Sequence, residues 1–84
     1  MVLPEQPVTL TAEQVATLNR ELGNMRHDIN NHLSLVLAAI ELIRAKPHMT
    51  ERMIGTLSEQ PSKISQAMLK FSGEFEKIFE IKRD

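Results

Sequence analysis

The sequence predicts an all-α fold, in which an antiparallel two-helix hairpin pairs with a second copy to form a homodimeric four-helix bundle. Three observations lead to this prediction. Apolar residues recur at alternating steps of three and four along two long segments, which is the period of an amphipathic helix. A short turn sequence, Pro47 to Thr50, separates the two segments. Apolar residues around 33–43 are also spread too widely for a single neighbouring helix.

The first predicted helix spans residues 11–46 and follows an N-terminal arm, residues 1–10, that has two prolines and no helical period. Thr11 and Gln14 have the spacing of a capping box, in which two side chains satisfy free backbone N–H groups. The heptad seam that follows consists of Val15, Leu18, Leu22, Met25 and Ile29. Pro47 cannot continue the helix, so the helix is expected to end before it.

The second predicted helix runs from a cap at Thr50 to about Lys82, and the short link before it makes it antiparallel to the first. Pro61 lies inside it, where a proline removes a backbone hydrogen bond and normally kinks or breaks a helix. The apolar register continues across Pro61, which favours a kinked continuous helix, with a break at 59–62 as the alternative. The residues in this register are Ile54, Leu57, Ile64, Met68, Phe71, Phe75 and Ile78.

Residues 11–84 are therefore interpreted as one hairpin domain, with more apolar surface than one hairpin can cover. From Leu33 to Ile43 the apolar side chains occupy well over one stripe of the helix. Two hairpins packed together supply the missing neighbours, and each buried Leu or Ile contributes about 1.5–3 kcal/mol. A homodimer is expected. The alternative is a monomeric hairpin docked on a larger protein, or a fragment of one.

The composition argues against several classes of function. Ten basic and eleven acidic residues nearly cancel, and Trp and Tyr are absent, so neither charge nor base stacking indicates a nucleic-acid partner. Cysteine is absent, and residues 1–7 do not resemble a signal peptide. The most apolar run, residues 33–43, is shorter than the roughly 20 residues of a membrane-spanning helix. We expect a cytoplasmic protein with no membrane segment and no cofactor.

His27 is the candidate functional residue, because the heptad register puts it at the position furthest from the predicted core. Asp28 is its neighbour, near enough to bond an imidazole nitrogen. Such a bond makes the other ring nitrogen a better nucleophile. Small polar residues share this face and leave room for a partner protein to approach, namely Asn24, Asn30, Asn31 and Ser34. The alternative is a solvated helix face without chemistry.

The segment from His27 to Asn31 resembles the H-box of sensor histidine kinases, which lies in their dimerisation and histidine phosphotransfer (HisKA/DHp-like) domain. The family pattern is His-Glu/Asp-x-x-Thr/Asn, and this chain reads His-Asp-Ile-Asn-Asn. The resemblance implies that His27 exchanges a phosphoryl group with an aspartate of a response-regulator receiver domain. It implies an acid/base role for Asp28 and, for Asn31, the orientation of a water that dephosphorylates the receiver. His32 replaces the usual proline, so less of a bend is expected after His27.

Histidine kinases continue into an ATP-binding domain with glycine-rich loops, whereas this chain has three scattered glycines. We therefore expect no self-phosphorylation from ATP. The implied partner is a separate or detached ATP-binding kinase domain. On this interpretation the chain is either an excised domain or a free-standing phosphotransfer protein.

Three other interpretations compete with the phosphoacceptor. A monomeric phosphotransfer domain would read His-x-x-Lys-Gly, but Asn30 and Asn31 stand at the corresponding positions. A metal site is disfavoured because His27 and His32 are five residues apart and point to different faces; His32 falls on the seam, where it is expected to pack. The third is a non-catalytic helical-hairpin adaptor or dimerisation module, which explains the heptads equally well.

Overall fold

The computed structural model describes residues 2–81, which form two long antiparallel helices joined by a tight turn. Helix α1 spans Ala12–Ala45, a single 3₁₀ turn spans Pro47–Met49, and helix α2 spans Thr50–Ile78. The all-α hairpin that the sequence predicts is confirmed.

Helix α1 begins with the predicted capping box. The Thr11 hydroxyl oxygen accepts a hydrogen bond from the Gln14 backbone N–H at 3.1 Å, and the Gln14 side-chain oxygen accepts one from the Thr11 N–H at 2.9 Å. The helix ends at Ala45, and the N–H of the next residue, Lys46, still donates to the Leu42 carbonyl at 2.7 Å. The prediction of 11–46 thus included one capping residue at each end.

The start of helix α2 differs from the prediction, because Thr50 is not its cap. Thr50 is already helical, with φ −53° and ψ −50°, and Met49 holds the cap position without a side-chain hydrogen bond. The Thr50 hydroxyl donates instead to the Pro47 carbonyl at 2.6 Å. The physical reason is the 3₁₀ turn, which leads directly into the helix and brings that carbonyl within reach of the hydroxyl.

Helix α2 continues through Pro61, so the predicted continuity is confirmed and the alternative break at 59–62 is wrong, while the kink expected at Pro61 stays a prediction. A proline inside a helix removes one hydrogen-bond donor, while the packing of the rest of the helix is retained. The apolar register, which continues on both sides of Pro61, indicates why the helix survives this loss.

The end of helix α2 falls earlier than the predicted Lys82, which lies outside the described residues. The Ile81 N–H donates to the Glu76 carbonyl at 2.8 Å, and the Glu80 N–H donates to the Lys77 carbonyl at 3.4 Å. This is a Schellman motif, which requires a left-handed residue after the cap. Glu80 takes that conformation, with φ 54°. The sequence gives no sign of it, because glycine normally occupies this position.

The hairpin is flat and has almost no interior. Its Cα extents are 58 × 28 × 12 Å, so it is a single layer of helices. In the described part of the chain, the buried apolar residues are Ala39 and Met53, which are 2% and 8% exposed. Gln60 is the one buried polar residue among those described, at 1%.

One broad side of the hairpin, here called the apolar face, carries exposed apolar side chains from both helices. The hydrogen bond between His32 and Gln60 marks the direction in which the two helices face each other. At 100° per residue, Leu33 lies about 100° from this direction around α1, and Met68 lies about 80° from it around α2. Both rotations have the same sense when each helix is viewed from its own N-terminus. Because the helices are antiparallel, rotations of the same sense place both side chains on the same broad side of the hairpin. The apolar face consists of Val15, Leu33, Leu37, Ile40, Ile54, Met68 and Phe75, each 39–58% exposed.

The opposite side, here called the polar face, carries charged and amide side chains over most of its length. Measured from the direction in which the helices face each other, Asp28 and Lys63 are rotated toward the polar face by about 40° and 60°. His27 is rotated by about 140° and so lies at the outer edge of this face. Near the turn it also includes Leu35 and Leu42, which are 45% and 36% exposed.

Candidate functional site

His27 lies near the middle of helix α1, on the outer edge of the polar face, and is exposed. On the other side of the helix the heptad seam, apart from the exposed Val15, is half buried against α2, and this packing turns His27 outward. The exposure predicted for His27 is therefore confirmed. The helix backbone on either side of it is continuous, so the imidazole is presented on a rigid element.

The small polar residues predicted to share this region are all exposed, and they are Asn24, Asn30, Asn31 and Ser34. The Ser34 hydroxyl donates to the Asn30 carbonyl at 2.9 Å, which is the usual bond of a serine to the preceding helical turn. Asn24 and Asn31 turn toward the polar face by about 80° and 100°. Asn30 and Ser34 lie further round, at the edge of the hairpin.

Asp28 is exposed and diverges from His27 by about 100° around the helix, because consecutive residues do so in any α-helix. No hydrogen bond joins the two side chains in the part of the chain that the structure describes. Asp28 instead lines a groove of about 360 Å³ between the helices. The residues of this polar groove are Asp28, His32, Lys63, Gln66, Ala67 and Lys70.

His32 is half buried and bonds across the hairpin to the most buried polar residue described, Gln60. The His32 Nδ1 and the Gln60 Oε1 are 2.8 Å apart. The Gln60 amide nitrogen donates to the Thr56 carbonyl at 2.9 Å, so its oxygen is the acceptor and Nδ1 carries the proton. The prediction that His32 packs in the seam is confirmed.

Gln60 is the residue that the sequence interpretation missed. It falls three residues after Leu57 and four before Ile64, which is a seam position. A polar residue at a seam position is a signal for a buried hydrogen bond, but Gln60 stands directly before Pro61, inside the segment 59–62 where a break is the predicted alternative. The side chain that satisfies it, His32, is 28 residues away.

Residues 2–81 hold no group of three or more His, Asp or Glu side chains arranged to bind a metal ion. Within the same residues, neither helix has a segment of sufficient length and apolar character to cross a membrane.

Comparisons with protein-family models, with curated proteins and with solved structures find no match to this chain.

Proposed function

We propose that this chain is a phosphoacceptor domain of a two-component phosphorelay, in which His27 exchanges a phosphoryl group with an aspartate of a receiver domain. The observation that carries the proposal is the placement of His27: exposed, at mid-helix, at the edge of a polar face whose groove contains Asp28. The resemblance of residues 27–31 to the histidine kinase H-box supports the same assignment.

In the proposed reaction, a neutral imidazole nitrogen of His27 attacks the phosphorus of an aspartyl phosphate. The new N–P bond forms as the P–O bond to the aspartate breaks, and the carboxylate leaves with the electron pair. The reverse reaction returns the phosphoryl group. Asp28 assists by orienting the imidazole or taking its second proton, which requires a rotamer other than the one observed. Asn31, on the same flank, orients water against the phosphorylated receiver.

The proposed active unit is a homodimer in which two apolar faces pack together. A hairpin with two buried apolar residues among those described, and seven half-exposed ones on its apolar face, has little core of its own. Covering these seven contributes about 1.5–3 kcal/mol for each side chain that becomes fully buried. A second copy is the occupant that the apolar face favours. The apolar face is flat, so two copies can pack face to face. A two-fold axis parallel to the helices then places α1 of one copy against α2 of the other in a closed dimer. His27 stays on the outside of such a dimer, open to a receiver domain.

The test is phosphoryl transfer from a phosphorylated receiver domain, with acid-labile label on histidine as the readout. His27→Gln is expected to abolish the label. His48→Gln is the matched control, because His48 is an exposed histidine in the turn, and it is expected to retain the label. If His27→Gln still takes up acid-labile phosphate, the site assignment is wrong.

The second candidate function is a non-catalytic adaptor or dimerisation module. The observation that favours it is the apolar face, which is compatible with helix pairing alone. It predicts dimerisation without any phosphorylation of the wild-type chain, so the same transfer assay distinguishes the two functions.

A further inference from the structure

Gly23 lies in the interior of helix α1, where neither the backbone nor the packing requires a glycine. Among residues 2–81, no glycine has a positive φ. Apart from its chain neighbours and the backbone of its own helix, no atom lies within 4 Å of the place that a Cβ would occupy at this position. A glycine inside a helix is destabilising relative to alanine. The missing side chain therefore lowers the stability of the hairpin without making room for any other part of it.

Gly23 and His27 are one helical turn apart. The spacing of four residues puts them about 40° apart around α1, and two Cβ atoms at this spacing lie about 5–6 Å from each other. Helical side chains lean toward the N-terminus of the helix, so the His27 side chain leans toward the turn that contains Gly23. Measured from the direction in which the helices face each other, Gly23 is rotated by about 180°, which puts it on the outer edge of the hairpin.

The other positions around His27 carry side chains. Asn24, Asn30 and Asn31 lie three or four residues from it, and all three are exposed. Gly23 is the remaining neighbour at this spacing, and it leaves the outer, N-terminal side of the imidazole open. A side chain at position 23 would extend into this open side.

Phosphoryl exchange with an aspartate of a folded domain needs close approach of two protein surfaces. The attacking nitrogen and the phosphorus have to come within about 3–3.5 Å of each other, so the surface around the aspartyl phosphate has to contact the helix around His27. A position one turn away from His27, on the same outer side, lies inside this contact area.

We propose that Gly23 is a specificity-determining residue, whose missing side chain gives a phosphoryl group carried by a protein access to His27. This inference rests on the proposed function. It does not depend on charge, because a neutral side chain at position 23 is enough to hold a receiver domain away from His27. A small phosphodonor can reach the imidazole from its other exposed sides, so the same side chain does not hinder it.

The experiment compares wild type with Gly23→Ala and Gly23→Gln, two neutral helix formers of increasing length, using a receiver domain that exchanges phosphate with the wild-type chain. The second-order rate constant for transfer is expected to fall about 10–100-fold in Gly23→Gln, since a misplacement of about 1 Å can cost 10²-fold. Gly23→Ala is expected to give a smaller decrease. Labelling of His27 by phosphoramidate, a small donor, is expected to be unchanged in both variants.

Thermal unfolding at one fixed protein concentration separates access from folding. Gly23→Ala is expected to raise the midpoint by about 4–8 °C, because alanine is the better helix former. A loss of transfer in a chain that has become more stable cannot come from unfolding.

Gly73→Gln is the matched control, because Gly73 is also a helical glycine with open space where its Cβ would lie. The bond between His32 and Gln60 sets an antiparallel register in which facing residue numbers sum to about 92. Gly73 therefore stands on α2, about 12 Å along the helix axis from the level of His27. This variant is expected to accept phosphate at the wild-type rate.

Wild-type transfer in Gly23→Gln, or an equal loss in Gly73→Gln, would overturn the role of Gly23. An equal loss of phosphoramidate labelling would do the same, because it would place the defect at the imidazole. Each of these results leaves the proposed function intact, whereas failure of every receiver domain to exchange phosphate with wild-type His27 would overturn both.

Discussion

The two broad faces of the hairpin are built from the same two helices, yet they differ in almost every chemical respect. The apolar face carries large aliphatic and aromatic side chains that are about half exposed, whereas the polar face carries His27, Asp28 and the lysines of the groove. Between them, the seam buries little more than Ala39 and Met53. The seam sets the hairpin register, and both faces remain available for partners. Our account assigns them to a second copy and to a receiver domain.

The largest expected effect comes from placing a charge on one face and, as a control, on the other. Leu33→Lys is expected to weaken the proposed dimer by at least about a thousandfold, because each such dimer would bury two unpaired ammonium groups. Leu35→Lys is the matched control, since Leu33 and Leu35 are 51% and 45% exposed on opposite faces. Sedimentation velocity at micromolar concentration measures both.

Equal dissociation by the two variants would contradict the assignment of the apolar face as the dimer interface. A wild-type chain that sediments as a folded monomer would contradict the dimer itself. Circular dichroism on the same samples separates dissociation from unfolding.

Asp28 and Asn31 are expected to have separable roles on the polar face. Asp28→Ala should slow transfer to His27 by roughly 10²-fold, the lower end of what general-base assistance contributes, without abolishing it. Asn31→Ala should leave transfer to His27 nearly unchanged and reduce the loss of phosphate from the receiver to water. Parallel time courses of phosphohistidine and free phosphate measure the two steps. Equal effects of both variants on both steps would show that the roles are not distinct.

The hydrogen bond between His32 and Gln60 is expected to couple these two side chains, so that replacing both lowers the stability less than replacing either one. His32→Leu leaves the buried Gln60 oxygen without its partner, which costs about 1–3 kcal/mol of stability. Gln60→Leu leaves the half-buried His32 without its partner and is expected to cost less, because water can reach the imidazole. The double variant His32→Leu/Gln60→Leu removes both polar groups and is expected to recover most of that loss. Urea unfolding at one fixed protein concentration gives the coupling energy. Strictly additive single effects would mean that the 2.8 Å bond contributes nothing to stability.

The smallest expected effect lies at the end of helix α2, away from both faces. Glu80 adopts φ 54°, a left-handed conformation that is strained for a residue with a Cβ. Glu80→Gly is therefore expected to raise the free energy of unfolding by about 0.5–1 kcal/mol. Thermal unfolding of the variant and wild type checks this, and a decrease in stability would show that the Schellman motif is not retained in solution.

The helices could be predicted from the sequence because their signals are local. Thr11 and Gln14 are three residues apart, and the apolar period repeats within every two turns. Thr50 was misassigned because its role depends on the geometry of the 3₁₀ turn before it, and the end of α2 depends on an unusual backbone angle at Glu80. Neither feature has a signature in residue type.

The candidate site was predictable only in part. The exposure of His27 follows from its distance along the helix from seam residues such as Met25 and Ile29. The groove beside Asp28 did not follow, because Lys63 and Lys70 reach it from the other helix and their level is set by the bond from His32. A register between two helices is a long-range property, and a single sequence carries little information about it.

Native mass spectrometry after incubation with a phosphorylated receiver domain is the most direct test of the roles proposed for the two faces, dimerisation for the apolar face and phosphoryl exchange for the polar face. One spectrum reports both the assembly state and the phosphorylation. The account predicts a dimer of the 9.6 kDa chain that carries a phosphoryl group on up to one histidine per copy and loses it on acid treatment. It also predicts an unmodified dimer for His27→Gln. A folded monomer, or a wild-type dimer that no receiver can phosphorylate, would contradict it.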